Sequence, residues 1–467
     1  MDSYFETCDD GNTASGDYCS ADCSAVTGSC ADGTIQSNEA CDDGNTANGD
    51  YCSDDCQTSY GSCGDGVVQF FEGCDDGGTL AGNGCNEACE IEPGWVCTGT
   101  TSTCTRVVYV KQAAFGTGSG ESWENAATSL QTAIELAQGA LESSASVSSV
   151  EIWVAAGTYY PSNEKVVGDA RSATFDLAPG VALFGGFDGF EFERRDRAPG
   201  DNPTILSGDI DQNNAKSGNA YHVVTGSNAD ETAVLDGFII EEGSASGSCS
   251  SCDDVLGGGL FMDGGSPRIA NTILRHNEAG GSFGYGGAMA LFGGAQPVFV
   301  NVAIYDNLAQ NGGAIRLHNS QPFFYNTTIA DNTSVDPGGA AILRSGGELS
   351  LYNCIVYDNG GTLLTNQLNS ISANDTILSS IVAGISENSS LGTLDMDPLF
   401  VSPSTNDYRL QSSSPAIDSG SYLVLSNFGD PWDTDGNGSV SGAFPWDLTG
   451  EERIEGFQVD MGAYEFR

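Results

Sequence analysis

The sequence predicts an all-β fold: a right-handed parallel β-helix solenoid with an N-terminal capping helix, preceded by small disulfide-rich repeats. A cysteine pattern recurs every 33 residues over residues 1–104, and a second repeat of roughly 26 residues follows in residues 105–467. The second repeat alternates apolar and polar residues and carries asparagine at fixed positions. With 467 residues, the chain is long enough for a solenoid and a separate cysteine-rich domain.

The composition excludes several classes of function. The chain has 15 Lys and Arg against 64 Asp and Glu, which gives a net charge of -49. Because the sequence has no basic stripe, we expect neither nucleic-acid binding nor attachment to anionic lipid. No run approaches the roughly 18 apolar residues of a membrane-spanning helix, so no membrane span is predicted. We also expect no organic cofactor.

The N-terminal repeats are expected to be held together by disulfides rather than by a hydrophobic core. Thirteen of the 16 cysteines lie within residues 1–104, where Leu, Ile and Val are scarce. Such a segment requires an oxidising compartment, so the protein is predicted to be secreted or displayed on the cell surface. The copies run near 1–29, 30–62 and 63–104, and their spacing leaves the connectivity open. The cysteines predicted to form disulfides, including two in a later polar excursion, are Cys30, Cys41, Cys52, Cys56, Cys63, Cys74, Cys85, Cys89, Cys97, Cys104, Cys249 and Cys252.

The repeated CDDGN segments are also a weak candidate for calcium binding. They place hard oxygen ligands on a loop that contains glycine, as Ca²⁺ sites require. The alternative is that Asp and Asn only supply the hydrogen bonds of turns. In the second copy the candidate ligands are Asp42, Asp43, Asn45 and Asp50.

The long second repeat predicts parallel strands that bend at asparagine. Across the first asparagine column, the apolar positions change from an even to an odd offset, so one residue is used as a bend. Asparagine tolerates the left-handed conformation that such a bend requires. Stacked on successive coils, the side chains of the first column are expected to hydrogen-bond to one another as a ladder. The β-helix as a whole is expected to have about ten coils. The first column is Asn271, Asn301, Asn326 and Asn353, and the second is Asn277, Asn307, Asn332 and Asn359.

One amphipathic helix over residues 129–142 is predicted to seal the first coil. Apolar residues recur there at the spacing of one helical face, and Ser129 is available as the N-cap. The residues of that face are Leu130, Ala133, Ile134, Ala137 and Leu141.

One column on the outside of the coils combines aromatic, imidazole and guanidinium side chains. If the apolar residues of IRLH at 315–318 point inward, Arg316 and His318 point outward. Alignment on the Gly-Gly pairs places Phe292, His318 and Arg344 in one outward column on three successive coils. This set could bind an anionic sugar by stacking and by carboxylate contacts; the alternative is that these are solvated strand residues.

The DTDGNGS segment near the C-terminus is the stronger calcium candidate. Asp433, Asp435 and Asn437 have the 1, 3, 5 spacing of a Ca²⁺ loop. Position 12 is Phe444, which removes the EF-hand interpretation, so Asp447 or a backbone carbonyl would have to complete the shell. Ca²⁺ is therefore the metal that the sequence favours.

Several stretches resemble known bacterial families. CDDGNTANGDYCSDDC at 41–56 resembles the cysteine-rich repeat of myxobacterial and related surface proteins. IWVAAGTYYP at 152–161 and RIEGFQVDMGAYEF at 453–466 resemble the choice-of-anchor Q group of secreted right-handed β-helix proteins. GGAI at 312–315 is similar to the repeats of polymorphic outer membrane proteins. These resemblances imply a pectate-lyase-like β-helix on a secreted or surface-attached protein.

The sequence lacks the signatures of catalysis on a β-helix. Known β-helix lyases use Lys or Arg as the catalytic base. The only lysines here precede the regular coils; they are Lys111, Lys165 and Lys216. No catalytic residue is assigned, and we predict a non-catalytic structural or adhesion protein that binds carbohydrate or a cell-surface protein. The alternatives are a polysaccharide lyase or glycoside hydrolase, and a self-assembling subunit of an extracellular fibre.

Overall fold

The structure is a computed structural model of the chain. It describes residues 7, 19–20, 22–26, 28–35, 39–42, 44–46, 52–59, 63–69, 72–143, 147–248, 253–336, 341–360, 368, 375–384, 392–422, 446–453 and 458–467. The chain divides into two compact units, Met1–Arg106 and Val107–Arg467.

The cysteine-rich unit repeats one backbone geometry every 33 residues. Cys23, Cys56 and Cys89 all adopt a left-handed conformation, with φ of 56°, 54° and 53°. Within each complete copy the disulfides are nested, because the first cysteine pairs with the fourth and the second with the third. The predicted disulfides are confirmed for the described residues, except that Cys249 and Cys252 lie outside them. The pairs are Cys30–Cys56, Cys41–Cys52, Cys63–Cys89, Cys74–Cys85 and Cys97–Cys104.

An antiparallel hairpin begins within the third copy and extends beyond it. Its strands are Trp95–Thr98 and Thr103–Val110, and Cys97 stands directly opposite Cys104 in the register. The Cys97–Cys104 disulfide therefore joins the two strands across the ladder.

The second unit is a parallel β-helix, which confirms the predicted fold class. Its strands stack in three parallel sheets, here called walls A, B and C, with a short fourth sheet of two-residue strands at one corner. Within the described ranges wall B stacks eight strands, whereas the sequence suggested about ten coils. Wall A contains Val150–Ala155, Val181–Phe187, Val234–Asp236, Arg268–Ala270, Val298–Val300, Phe323–Tyr325, Ser350–Tyr352 and Thr376–Leu378. Wall B contains Gly157–Tyr159, Thr204–Ser207, Phe238–Glu241, Ile273–Arg275, Ala303–Tyr305, Thr328–Ala330, Ile355–Tyr357 and Ile381–Val382.

Wall C is the sheet that positions the candidate site. It contains Phe175–Asp176, Val224–Thr225, Leu260–Asp263, Met289–Phe292, Ile315–Ser320 and Ile342–Gly347. The corner sheet contains Ser244–Ala245, Glu278–Ala279, Leu308–Ala309 and Thr333–Ser334. Short 3-10 turns occur at Ala170–Ser172, Arg194–Asp196, Lys216–Gly218, Asp253–Val255 and Pro403–Thr405.

The core lies inside the walls and is built from aligned columns of apolar side chains. In wall A, Ile269, Phe299 and Phe324 stand in register on consecutive coils and are fully buried. The Phe299 and Phe324 rings stack with centroids 4.7 Å apart. Each coil buries its apolar side chains only against its neighbours, as a solenoid requires.

The predicted bend at the first asparagine column is confirmed. Asn271, Asn301, Asn326 and Asn353 have φ between 45° and 54°, the left-handed region. The longer ladder, however, runs through the second column, where Asn277, Asn307, Asn332 and Asn359 donate and accept in succession at 3.1, 2.9 and 2.8 Å. The expectation that the first column forms the ladder is correct only for Asn301, which donates to Asn271.

The α-helix spans Leu130–Ser143, one residue from the predicted bounds at each end. Leu130, Ala133, Ile134 and Ala137 are buried in the same cluster as Val150 and Val181 of the first coils. The helix therefore covers the core at the start of wall A, as predicted. No helix among the described residues is both long enough and apolar enough to span a membrane.

The C-terminal part of the chain packs against the outside of the β-helix. We call residues 400–422, 446–453 and 458–467 the C-terminal clasp. An antiparallel pair, Phe400–Ser402 with Asp407–Leu410, packs with Met461 and Ala463 against outward residues of wall B such as Tyr305. Val459 packs against outward residues of wall A. The clasp therefore covers parts of the outer faces of walls A and B.

Candidate functional site

The outward face of wall C carries a line of rings on four consecutive coils. Strand alternation sends Leu260 and Leu291 into the core and turns Phe261 and Phe292 outward. His222 stacks on Phe261 with centroids 4.9 Å apart, Phe261 lies 6.2 Å from Phe292, and Phe292 lies 5.2 Å from His318. We call these four residues, His222, Phe261, Phe292 and His318, the aromatic strip.

The strip is buried at one end and accessible at the other. Phe261 is only 6% exposed, whereas Phe292 and His318 are partly exposed. Burial lowers the pKa of His222 to about 4, although its hydrogen bond with the Gly257 carbonyl favours the charged form. His222 is therefore neutral at physiological pH, which agrees with a structural role. Phe292 and His318 form the part of the strip that a ligand can reach.

Arg316 lies beside the strip, two residues before His318 on the same strand. Its guanidinium carbon is 5.5 Å from the centroid of the Tyr285 ring, a cation–π geometry. Burial lowers the pKa of the Arg316 guanidinium. Among the described residues, its Nε atom is buried without a hydrogen-bond partner.

The prediction that Arg344 shares this outward column is wrong. The register pairs Leu317 with Arg344 and His318 with Ser345, so Arg344 occupies an inward column. Its side chain is 7% exposed and forms an ion pair with Asp375, which is 2% exposed. The step from Ile315 to Ile342 is 27 residues, one more than the Gly-Gly spacing that guided the alignment. One additional residue reverses the facing of every side chain that follows.

A group of carboxylates lies near the same face. Asp263 stands opposite Phe292 in the wall C register. Burial raises the pKa of Asp253, and the carboxylates of Asp263 and Asp254 raise it further. Burial also raises the pKa of Asp254, with the Asp169 carboxylate acting in the same direction. Burial and the neighbouring carboxylates therefore favour the protonated form of Asp253 more than in an isolated aspartate.

The Asp42 carboxylate, a candidate calcium ligand, makes four hydrogen bonds to backbone amides. Oδ2 accepts from Ala31 and Asp32 at 3.0 and 3.1 Å, and Oδ1 accepts from Gly33 and Gly44 at 2.9 and 2.8 Å. Asp75 makes the equivalent four bonds in the next copy and is fully buried. Four N–H donors around one carboxylate argue for an anion-binding nest, and against a cation at Asp42.

Of the remaining calcium candidates, only Asn45 and Asp447 are among the described residues. Asp43, Asp50, Asp433, Asp435 and Asn437 lie outside the described residues, and Asn45 is exposed. Asp447 is 2% exposed and accepts from the Thr449 and Glu465 amides at 2.8 and 2.9 Å.

Two clusters in the described part of the chain have metal-ligand spacing, and both contain oxidised sulfur. They are Glu39, Asp42 and Cys56, and Cys63, Glu72 and Cys89. Their cysteines are consumed in disulfides, so these clusters lack the thiolates that a metal would need.

Comparisons with known proteins add little beyond the fold. No family model matches the sequence, and no curated protein matches it. A solved structure similar to this chain is a crystal structure of pectate lyase Pel9A, with 14% sequence identity and a TM-score of 0.27. The match covers 78% of this chain and 97% of that chain. A likeness at this TM-score carries no argument, so the parallel ladders themselves establish the β-helix.

Sequence reasoning missed three residues around the site. Phe261 follows the inward Leu260 and could have been placed outward by strand alternation. Tyr285 forms parallel bridges with Leu256 and Asn311 on the neighbouring coils, directly before the Gly-Gly pair, so its position could have been read from the repeat. Asp253 precedes wall C through a 3-10 turn and has no periodic signal.

Proposed function

We propose that this protein is a non-catalytic extracellular surface protein that binds glycan on the outer face of wall C. The observation that carries the proposal is the aromatic strip, whose Phe292 and His318 rings lie 5.2 Å apart and are partly exposed on adjacent coils. Sugar rings present apolar C–H faces that pack on such side chains, and a flat wall suits an extended chain. The five disulfides between described residues support an oxidising, extracellular location.

A glycan array probed with the wild type and two phenylalanine variants tests this proposal. We expect the wild type to bind a defined subset of glycans and Phe292→Ala to lose at least tenfold in affinity. Phe192→Ala is the matched control, because Phe192 is 87% exposed and lies outside wall C. Absence of binding to every glycan, or equal losses in the two variants, would overturn the proposal.

A second candidate is a carbohydrate-active enzyme, and the raised pKa of Asp253 favours it. Burial and the neighbouring carboxylates shift Asp253 towards its protonated form, which is the form in which a carboxyl acts as a general acid. The test is release of reducing ends or unsaturated products from polysaccharides by the wild type and by Asp253→Asn. Product release that is abolished in Asp253→Asn would favour the enzyme over the binding protein.

A further inference from the structure

Arg316 is a partly buried cation whose charge is not compensated by a described carboxylate. Other arginines on the β-helix pair closely with acids: Arg275 with Glu241 at 2.8 Å and Arg197 with Asp236 at 2.9 Å. Among the described residues, no ion pair includes Arg316, although the chain has 64 acidic residues and only 15 Lys and Arg. Burying an unpaired charge costs free energy, so this position needs an explanation.

The surroundings of Arg316 suggest what would complete it. The Tyr285 ring holds the guanidinium from one side, and the Nε atom is buried without a hydrogen-bond partner in the described part of the chain. His318 follows on the same strand, about 6.7 Å further along by strand geometry. Phe292 stands beside His318 on the preceding coil. A planar hydrogen-bond donor thus lies on the same face of wall C as a platform of two rings.

We propose that Arg316 binds the carboxylate of an acidic sugar residue whose ring packs on Phe292 and His318. This inference rests on the proposed glycan-binding function and names the ligand class. A guanidinium binds a carboxylate through two parallel hydrogen bonds, which gives both affinity and orientation. Because the Nε atom is buried, the two Nη groups supply the two donors, and the ligand's charge compensates the partly buried cation.

An acidic sugar fits this face better than an acidic peptide. A peptide that binds a β-sheet usually adds a strand to a free edge, but the wall C strands that carry the site are paired on both sides. The site offers side chains on the flat of the sheet instead. Aromatic stacking together with one bidentate contact suits a sugar ring that carries a carboxylate.

Titration calorimetry with matched charged and uncharged glycans tests the inference. The probes are oligosaccharides of galacturonate, mannuronate and hyaluronan, each compared with its carboxyl-reduced form. We expect at least one acidic probe to bind at least tenfold more tightly than its reduced form. Arg316→Gln should lose that preference while still binding the reduced form with unchanged affinity, and Arg316→Lys should keep part of it.

Arg409→Gln is the control, because Arg409 is also an arginine but is exposed and paired with Asp407 outside wall C. It should bind like the wild type. Acidic and reduced probes that bind equally, with a loss in Phe292→Ala, would overturn the role of Arg316 and leave the glycan-binding function standing. Failure of all six probes to bind would overturn the acidic-sugar inference, whereas the glycan array decides the function separately.

Discussion

Asn332 shows how one side chain joins three successive coils. Its Nδ2 group donates to the carbonyls of Ile304 and Ala330 at 2.8 and 2.9 Å and to Asn359 Oδ1 at 2.8 Å. Its Oδ1 accepts from the Asn307 amide side chain at 2.9 Å. The residue is 1% exposed, so water cannot replace these bonds. The asparagine ladder therefore satisfies the polar backbone at a corner where the sheets end.

We predict that Asn332→Asp lowers the free energy of unfolding by about 3 kcal/mol, because the new carboxylate faces three acceptor oxygens in a buried site. Denaturant titration of the β-helix transition measures the loss. Asn319→Asp is the matched control, since Asn319 is exposed and has a similar left-handed φ of 51°. Equal effects of the two substitutions would contradict the importance of the ladder.

The buried Glu465 carboxyl should make the stability of the clasp depend on pH. Burial raises its pKa to about 8 from the ordinary value near 4.5, even though Arg453 lies nearby and lowers it. The folded protein thus holds a proton that the unfolded chain releases above about pH 4.5. The stability from this group is fully present below that pH and is lost as the pH rises to about 8.

Glu465→Gln keeps the neutral form at every pH, so we expect the melting temperature of the wild type to fall relative to this variant between pH 5 and pH 8. Thermal melts at several pH values measure the difference. Glu452→Gln is the control, because Glu452 is exposed at the edge of the clasp. Parallel pH curves for the wild type and Glu465→Gln would show that the carboxyl ionises normally in the folded protein.

At the scale of elements, the nested disulfides make each cysteine-rich copy a closed unit. Cys30 and Cys56 are separated by 26 residues in the sequence, and they enclose the Cys41–Cys52 bond with a separation of 11. Within the Cys30–Cys56 loop, the Asp42 carboxylate joins the backbone at Ala31 to the backbone at Gly44. A small core of sulfur and one hydrogen-bonded carboxylate therefore replaces a hydrophobic core.

Removing the disulfide that closes the longer loop should destabilise this unit more than removing the one that closes the shorter loop. By chain entropy, we expect the Cys30→Ser and Cys56→Ser pair to lose about 3.5 kcal/mol and the Cys97→Ser and Cys104→Ser pair about 2.4 kcal/mol. Calorimetry should show these losses in the transition of the cysteine-rich unit, with the β-helix transition unchanged. The reverse order of the two losses would mean that strain or residual structure outweighs loop entropy.

The walls themselves were predictable because their signal is local. Leu274, Ile304 and Ile329 align in wall B as expected, since a period of 2 and one bend residue fix the facing of each strand. The facing of Arg344 was not predictable, because it depends on how many residues separate Ser334 from Ile342. The disulfide pairing was also not predictable from the sequence, since cysteine spacing alone allows several connectivities.

At the scale of the whole molecule, the net charge of -49 opposes compaction through self-repulsion. Divalent cations that bind only the folded form would offset this repulsion by about 2.7 kcal/mol per site at a hundredfold excess over the dissociation constant. Calcium remains a prediction of the sequence, centred on Asp433, Asp435 and Asn437. The structure gives Asp447 an internal role in the clasp instead.

We expect Ca²⁺ to raise the melting temperature relative to EGTA, and Mg²⁺ to substitute poorly because it demands octahedral geometry and dehydrates reluctantly. The variant Asp433→Ala with Asp435→Ala should lose most of the calcium effect. Equal melting temperatures of the wild type in Ca²⁺ and EGTA would contradict calcium binding altogether. A full effect in the variant would place the ion elsewhere in the chain.

The clasp also determines how the β-helix would respond to mechanical force. Arg453 of the clasp is almost fully buried and donates to Asn301 Oδ1 and to the Gly462 and Ala463 carbonyls. A force applied to the C-terminal end of the chain would have to break these contacts of the Arg453 guanidinium before the force reached any coil. Each coil of roughly 26 residues could then release about 9 nm of chain. Extension would therefore begin with one high-force event and continue as a series of even steps.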